Sequence, residues 1–330
     1  MLIIRHQEVA DLLAGREKEV LDLVADAYRR HDEGRTSLPQ SVFLRFPDRP
    51  RDRIIGLPGY LGGADEVAGM KWISSFPGNV AAGMERASAA ILLNSLTNGH
   101  PEALIEGSLI SARRTAASAA LGAGLLLGGR RPSGVTLIGT GVINREILRF
   151  LAVRLPDLDS LAVHDTDPER ARRFTEANAS LLPGARVRHC DTLDEALAAH
   201  DLVSFATTAA TPYTGLDACP PGTVVLHISL RDLTVPTLLG AHNLVDDPGH
   251  VCRENTSAHL AEQQTGGRDF IDAPIGALLR GTAELRPEPG RPLVYSPFGL
   301  GVLDLALARF VRDEARRVGS GVLIDGFLPA

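Results

Sequence analysis

The chain has 330 residues, enough for two domains with substantial cores, and 44% hydrophobic and 22% charged residues are typical of a globular protein. A net charge of −6 without a basic cluster argues against a nucleic-acid partner. No apolar stretch has membrane-spanning length, since the longest, residues 116–129, is short and rich in Ala and Gly.

The N-terminal segment and the cysteines indicate the compartment. Residues 1–8 lack the apolar core of a signal peptide. Cys190, Cys219 and Cys252 are too widely spaced for a disulfide framework or a zinc site, so we expect reduced thiols and no metal. These features predict a cytoplasmic protein.

The first third of the chain predicts a helix followed by short strands. Apolar residues in 17–30 have helical spacing. The strand-like runs that follow are separated by Gly, Pro and Asn turns, as in an antiparallel sheet. These runs are residues 42–44, 53–55, 69–73, 89–93 and 102–105, and an alanine-rich helix follows at 108–127.

A glycine turn follows the next predicted strand, residues 135–138. Gly139 and Gly141 lead into an amphipathic segment, residues 143–154. This order places unpaired backbone N–H groups at a helix N-terminus, which favours a pyrophosphate. The first glycine permits the tight turn and the second permits close approach of the ligand. The third glycine of the dinucleotide-binding fingerprint is replaced by Asn144, and a turn without a ligand is the alternative.

An acidic residue ends the next predicted strand, residues 160–164. Asp165 is placed to hydrogen-bond a ribose diol, which favours NAD over NADP. Asp167 is a competing candidate for this role.

The rest of the chain predicts a doubly wound parallel sheet. Apolar strands at 186–189, 202–206, 224–228 and 243–245 alternate with helices, and a last helix covers 302–317. Ligands bind such sheets at the carboxyl ends of the strands. Polar and glycine residues at three strand ends are therefore candidates for a nicotinamide ribose pocket: Thr207, Thr208, Ser229 and Gly299.

Two cationic residues interrupt apolar segments. Lys71 lies within a predicted strand, where burial is costly unless it meets a carboxylate or a substrate. Arg114 interrupts a helix of small residues, and its guanidinium matches a carboxylate. A solvated edge-strand lysine and a snorkelling arginine are the alternatives.

These segments carry a resemblance to a known family. Residues 69–79 (GMKWISSFPGN) and 114–118 (RTAAS) resemble the ornithine cyclodeaminase/μ-crystallin family, and the nucleotide turn and residues 296–304 follow in the family's order. The resemblance covers essentially the whole chain. It implies a Rossmann domain at 115–304 and a split α/β substrate-binding and dimerisation domain at 1–114 and 305–330.

The same resemblance implies an activity. It suggests a homodimer with an NAD(P) cofactor and an amino- or imino-acid substrate, with Lys71 beside the reacting carbon and Arg114 holding the substrate carboxylate. Residues 72–79, 86–89, 226–232 and 245–253 are similar to one branch, NAD-dependent amine dehydrogenases that supply 2,3-diaminopropionate for siderophores and peptide antibiotics. That branch oxidises a secondary amine joining a glutamate to a diaminopropionate unit, and hydrolysis releases 2-oxoglutarate.

This chemistry requires cations, a base and an activated water. The predicted substrate site contains Lys71, Asn79, Arg86 and Arg114. Lys71 either stays cationic or acts as the base, because burial and cationic neighbours lower a lysine pKa. Asp232 or His227 is the candidate for activating water. The predicted cofactor site contains Gly139, Gly141, Val142, Ile143, Asp165, Thr207, Thr208, Ser229 and Gly299.

Two departures from the family pattern leave alternatives open. Many members carry an arginine where this chain has Gln40 and Ser41, and Arg45 or Arg53 is a candidate replacement. The alignment of Asp232 with the aspartate of cyclodeaminases is also open. A redox-neutral cyclodeaminase and a non-catalytic nicotinamide-binding protein are therefore the alternative functions. The apolar C-terminal segment, residues 321–325, is predicted to join the N-terminal sheet in a dimer-forming domain.

Overall fold

The computed structural model describes residues 1–328, which divide into two compact units. One contains Met1–Arg114 with the segment from Leu300 onward, and the other contains Thr115–Gly299. Residues 300–304 thus group with the first unit, whereas the sequence assigned them to the second domain. They belong there because they start the last helix, which packs on the first sheet. No helix within residues 1–328 is long and apolar enough to cross a membrane.

The elements are numbered along the chain. The strands are β1 (Leu2–Ile4), β2 (Thr36–Ser37), β3 (Val42–Phe46), β4 (Arg49–Leu61), β5 (Val67–Ser75), β6 (Ala87–Asn94), β7 (Pro101–Glu106), β8 (Val135–Ile138), β9 (Ser160–His164), β10 (Arg186–His189), β11 (Leu202–Phe205), β12 (Val224–His227), β13 (His242–Val245), β14 (Ala273–Pro274), β15 (Leu293–Ser296) and β16 (Val322–Leu323). The helices are α1 (His6–Leu12), α2 (Glu17–Asp32), α3 (Ser108–Leu127), α4 (Val142–Arg154), α5 (Pro168–Ala177), α6 (Leu193–Leu197), α7 (Val235–Leu239), α8 (Pro248–Val251), α9 (Ser257–Thr265), α10 (Ile275–Arg280) and α11 (Gly301–Val318). Short 3-10 segments lie at Pro77–Ala82 and Ala179–Leu181.

The sheet of the first unit has the order β16-β1-β7-β6-β5-β4-β2, with β3 also paired to β4. The prediction of an antiparallel sheet is confirmed for the predicted strands, because β3, β4, β5 and β6 each pair antiparallel with the next strand along the chain. Strand β1 was not predicted from the sequence, and it pairs parallel with β7. Hairpin turns force neighbouring strands to be antiparallel, whereas the long connection between β1 and β7 imposes no such direction. The prediction that the C-terminal segment joins this sheet is confirmed, since Leu2 pairs with Leu323.

One face of this sheet is covered by α11, which packs against β4, β5 and β6. Lys71 is directly opposed to Leu57 on β4 and to Ile91 on β6. Opposed residues share a face of a sheet, so all three side chains belong to one face. Trp72, the next residue along β5, belongs to the opposite face.

The second unit contains an eight-stranded sheet of order β10-β9-β8-β11-β12-β15-β13-β14, and every pairing in it is parallel. Strands β8, β11, β12, β13 and β15 are buried along their whole length, as expected of a doubly wound sheet. The strand order reverses between β8 and β11. The loops after these two strands therefore lie at the position where such sheets bind nucleotides.

Small residues in α3 permit close packing in the second unit. A Cβ atom on Gly122 would lie 2.3 Å from the Tyr295 ring. One turn earlier, the hydroxyls of Ser118 and Tyr295 are 2.8 Å apart. A larger side chain at Gly122 would thus displace β15.

Candidate functional site

The glycine turn after β8 requires glycine at its first position. Gly139 has φ +88°, and a Cβ atom there would lie 2.6 Å from the carbonyl oxygen of Ala206. Gly141 is the N-cap of α4, and a Cβ atom there would meet open space within 4 Å. Val142 and Ile143 form the first turn of α4. The N-terminus of α4 therefore begins beside open space at Gly141, and the unpaired N–H groups of a first helical turn fit a diphosphate.

Asn144 stabilises this turn in place of the third glycine of the fingerprint. Its buried amide nitrogen donates to the carbonyl oxygens of Ile138 and Gly139, at 3.0 and 2.6 Å. Its amide oxygen accepts a hydrogen bond from Ser204 on β11 at 2.8 Å. The hydrogen bonds of Asn144 thus stabilise the turn although the third glycine of the fingerprint is missing.

Asp165 connects the end of β9 to the glycine turn. Its Oδ2 atom accepts hydrogen bonds from the backbone N and the hydroxyl of Thr140, at 2.9 and 2.6 Å. Burial raises the pKa of Asp165, but bonds from Thr140 and from the backbone of Asp167 outweigh it and keep the pKa below its usual value. Asp167 instead caps α5, accepting from the N–H groups of Glu169 and Arg170. Of the two candidates, only Asp165 contacts the turn.

A second set of polar residues surrounds Asp232 at the ends of β11 and β12. The fully buried Asp232 carboxylate accepts hydrogen bonds from the hydroxyls of Thr207, Ser229 and Tyr213. The Nε2 atom of His227 lies 3.3 Å from its Oδ2 atom. Asp232 therefore holds in place two residues predicted to contact the cofactor.

The remaining cofactor candidates differ in their surroundings. Thr208 is exposed. Gly299 is buried at φ +97°, and its N–H donates to Asp246 Oδ2 at 2.6 Å. Because this donor is used within the protein, Gly299 contributes backbone shape rather than a hydrogen bond.

In the first unit, Lys71 and Arg114 meet at one buried carboxylate. Lys71 Nζ lies 2.6 Å from Asp304 Oδ2, and Arg114 Nε lies 3.2 Å from Asp304 Oδ1. Lys71 also donates to the Ser111 hydroxyl at 3.2 Å. Lys71, Arg114 and Asp304 are 2%, 8% and 0% exposed. The alternatives of a solvated lysine and a snorkelling arginine are thereby excluded.

This cluster contains two cations and one carboxylate. Burial lowers the pKa of Lys71 to about 8, although Asp304 acts in the opposite direction; the charge of Arg114 lowers it further. Burial raises the pKa of Asp304, but Arg114 and Lys71 outweigh it and hold the pKa below its usual value. The cluster thus keeps an excess of buried positive charge, which an anionic ligand would neutralise.

The other two predicted substrate residues follow β5. Arg86 Nη1 donates to the Ser75 hydroxyl at 2.7 Å. Asn79 lies in the 3-10 segment, where its amide nitrogen donates to the carbonyl oxygen of Glu85 at 3.2 Å. Asn79 therefore stabilises a local loop, whereas Arg86 lies at the edge of the sheet face that carries Lys71.

Sequence reasoning did not identify Asp304 as a site residue. The signal was present, because a single acid interrupts the apolar run of residues 302–308. An acid in an apolar helix, like a lysine in an apolar strand, is costly to bury unless it meets a partner of opposite charge. Ser75 and Ser111 carried no comparable signal.

The comparisons with known proteins cover nearly the whole chain. The model of the ornithine cyclodeaminase/mu-crystallin family matches residues 3–319. N-((2S)-2-amino-2-carboxyethyl)-L-glutamate dehydrogenase of Staphylococcus aureus is 25% identical over 98% of this chain and 98% of its own.

Solved structures also resemble the fold, and two of them are similar over nearly the whole chain. The Δ1-pyrroline-2-carboxylate reductase of Thermococcus litoralis, in complex with NADH and L-proline, has a TM-score of 0.90 and 24% identity, covering 98% of this chain and 100% of its own. An archaeal alanine dehydrogenase dimer with bound NAD has a TM-score of 0.88 and 25% identity, covering 99% of each chain.

Proposed function

The chain belongs to the ornithine cyclodeaminase/mu-crystallin family, and from that premise we propose that it is an NAD-dependent dehydrogenase of a secondary amine. The substrate is N-(2-amino-2-carboxyethyl)-L-glutamate, and the products are L-2,3-diaminopropionate, 2-oxoglutarate and NADH. The observation that carries the proposal is the buried group of Lys71, Arg114 and Asp304, whose excess positive charge fits an amino-acid carboxylate. A relative with this activity in its name matches over 98% of both chains. The diaminopropionate would enter siderophore or peptide-antibiotic synthesis.

The glycine turn and Asp165 fit NAD. Bound NAD supplies a hydride acceptor, and the turn at Gly139 and Gly141 would hold its diphosphate at the start of α4. Asp165 would bind the adenosine ribose diol and repel a 2′-phosphate.

Asp165→Ser is expected to remove the preference for NAD. A lost charge-assisted hydrogen bond costs about 1.5–3 kcal/mol, or roughly ten- to 150-fold in the KM ratio of NAD to NADP. Steady-state titration of both cofactors measures this ratio. Asp167→Ser, which changes a helix cap on the same loop, is the control and should leave the ratio unchanged. Tighter binding of NADP than NAD by the unaltered protein would contradict the assignment.

The first-unit cluster supplies the groups that the substrate needs. Arg114 would hold the α-carboxylate of the glutamate moiety in a bidentate contact and so orient the α-hydrogen. Lys71, with its pKa lowered to about 8, would in its neutral form take the proton that the secondary amine must lose, and the cluster would then carry its excess positive charge next to the substrate carboxylate. Lysine suits this role because burial readily shifts its pKa. Lysine is also rare in this chain, since Lys18 and Lys71 are the only lysines among 34 Lys and Arg residues.

The balanced reaction consumes one NAD and one water. The C–H bond of the glutamate α-carbon breaks with departure of hydride, and the nitrogen lone pair forms a C=N bond. Water adds to this carbon, and cleavage of the C–N bond gives 2-oxoglutarate and the free amine.

A positioning role fits Asp232 better than the predicted activation of water. Its carboxylate is fully buried and already accepts hydrogen bonds from Thr207, Ser229 and Tyr213. A general base needs access to the proton that it removes. We assign Asp232 to the positioning of Thr207 and Ser229.

Net NADH formation separates the proposed dehydrogenase from the alternatives. A panel of amino acids and glutamate-derived secondary amines would be incubated with NAD, with NADH followed by absorbance and products by mass spectrometry. We expect NADH, 2-oxoglutarate and diaminopropionate in equal amounts. Deamination without NADH would identify a cyclodeaminase, and NAD binding without any turnover would identify a binding protein.

The uncovered face of the first sheet supports a homodimer. Val42, Leu44 and Trp72 are 63%, 44% and 41% exposed. Val42 and Trp72 both oppose Gly56, and Leu44 belongs to the same face. Contiguous apolar residues on a surface are typical of an interface.

Sedimentation is expected to give a dimer at micromolar concentration, and Trp72→Glu should shift it towards monomer because a charge would be buried in the interface. Leu323→Glu, at the β16 edge, tests the contribution of the C-terminal strand. A monomeric unaltered protein would overturn the proposal.

A further inference from the structure

A second group of basic residues lies along the face that carries Lys71. Arg53 on β4 is directly opposed to Ser75 on β5, so both belong to one face. Ser75 is four residues beyond Lys71 in the same strand, which keeps it on that face at about 13 Å along the backbone. The Arg86 guanidinium reaches the same place through its 2.7 Å hydrogen bond to Ser75.

Arg86 carries its charge next to a second guanidinium group. Burial lowers the pKa of Arg86, and the positive charge of Arg53 lowers it further. Within residues 1–328, Arg86 forms no ion pair, and its side-chain hydrogen bond goes to a neutral hydroxyl. Such an arrangement is costly unless an anion binds to it.

We propose that Arg53, Ser75 and Arg86 form a second carboxylate subsite, separate from the α-carboxylate contact of Arg114. Guanidinium groups match carboxylates in bidentate geometry, and the Ser75 hydroxyl adds a donor. The subsite deepens the proposed function and rests on it for the identity of the substrate. It also makes Arg53 the replacement for the arginine that many family members carry where this chain has Gln40 and Ser41.

This subsite determines specificity rather than chemistry. The proposed substrate carries three carboxylates, whereas alanine and Δ1-pyrroline-2-carboxylate carry one. A protein that binds a second carboxylate disfavours monocarboxylate amines, because they leave the charge of the half-buried Arg86 uncompensated. Loss of the subsite should therefore relax specificity and leave the reaction of monocarboxylates intact.

The test uses the reaction in reverse, in which NADH consumption is followed with L-2,3-diaminopropionate and 2-oxoglutarate. In one arm 2-oxopentanoate replaces 2-oxoglutarate and lacks its side-chain carboxylate. In the other arm 1,2-diaminoethane replaces the diamino acid and lacks its carboxylate. For Arg86→Gln and Arg53→Gln we expect kcat/KM to fall roughly ten- to 150-fold with the full substrates.

If the variants lose no kcat/KM with one of the two analogues, the carboxylate missing from that analogue is the one that the subsite binds. Arg173→Gln, at an exposed position of α5, controls for the removal of a positive charge and should match the unaltered protein. Equal losses with all three substrate pairs would overturn the subsite.

A binding measurement separates failure of the subsite from failure of the proposed function. Calorimetric titration of the NADH complex compares glutarate, with two carboxylates, and pentanoate, with one. Arg86→Gln should weaken glutarate roughly ten- to 150-fold and leave pentanoate unchanged. Equal affinity of the unaltered protein for both acids would refute a subsite for the side-chain carboxylate of the glutamate moiety, whereas a lack of turnover alone would refute only the proposed reaction.

Discussion

Lys71→Ala is expected to lower kcat by about 10²- to 10⁴-fold, the usual contribution of a positioned proton acceptor. The side chain is 2% exposed and its pKa is lowered to about 8, so the unaltered protein contains a neutral amine in a large fraction of molecules at pH 8. NAD affinity should stay nearly unchanged, because other residues are proposed to hold the cofactor. Steady-state kinetics with a separate NAD titration distinguishes the two effects.

Arg114→Lys would be measured in the same experiment and should not retain the activity of the unaltered protein. A point charge lacks the planar fork, and losing a charge-assisted contact costs roughly ten- to 150-fold in kcat/KM. Lys18→Ala removes the only other lysine of the chain from an exposed position on α2 and serves as the control. Near-normal turnover in both Lys71→Ala and Arg114→Lys would remove the basis for the substrate site.

Asp304→Asn is expected to destabilise the protein by about 3–5 kcal/mol, since it leaves two buried cations without their carboxylate. Lys71 Nζ and Arg114 Nε lie 2.6 and 3.2 Å from this carboxylate. Chemical denaturation measures the loss. Adding Lys71→Met to Asp304→Asn should recover part of it, because the second change removes one of the uncompensated charges.

The destabilisation caused by Asp304→Asn should depend on pH, and its direction follows from the pKa of Lys71. The pKa of Lys71 is lowered from 10.5 to about 8, so the unfolded chain binds this proton more tightly and stability rises with pH between these values. Without Asp304 the folded-state pKa falls further, because Asp304 raises it. The deficit of Asp304→Asn should therefore be larger at pH 6.5 than at pH 9. A deficit that is independent of pH would show that Lys71 and Asp304 are not coupled.

The predictions that depended on local signals agree with the structure. Strands β8, β9 and β10 occupy the predicted residues 135–138, 160–164 and 186–189. Helix α3 likewise spans the predicted residues 108–127. In each case a run of apolar or small residues ends at a glycine or polar turn, and both parts of the signal lie within about 20 residues.

The predictions that needed distant partners were incomplete. The parallel pairing of β1 with β7 joins segments far apart in the chain. The sequence also did not predict that Asp232 is fully buried and accepts hydrogen bonds from Thr207 and Tyr213, which argues against its predicted role with water. Periodicity within one segment carries no information on which other segment covers it.

The amino-acid sequence by itself determined the two-part organisation, the nucleotide turn at Gly139 and the unusual positions of Lys71 and Arg114. Gly139, Lys71 and Arg114 are each visible in the sequence as a glycine or a charged residue within an otherwise apolar or small-residue segment. Only the tertiary structure decided that Asp304, 233 residues from Lys71 and 190 from Arg114, joins these cations, and that Arg86 hydrogen-bonds to Ser75, the residue opposed to Arg53. The physical reason is that charge compensation acts through space at a few ångströms, whereas the pattern of a sequence reports only on neighbours along the chain.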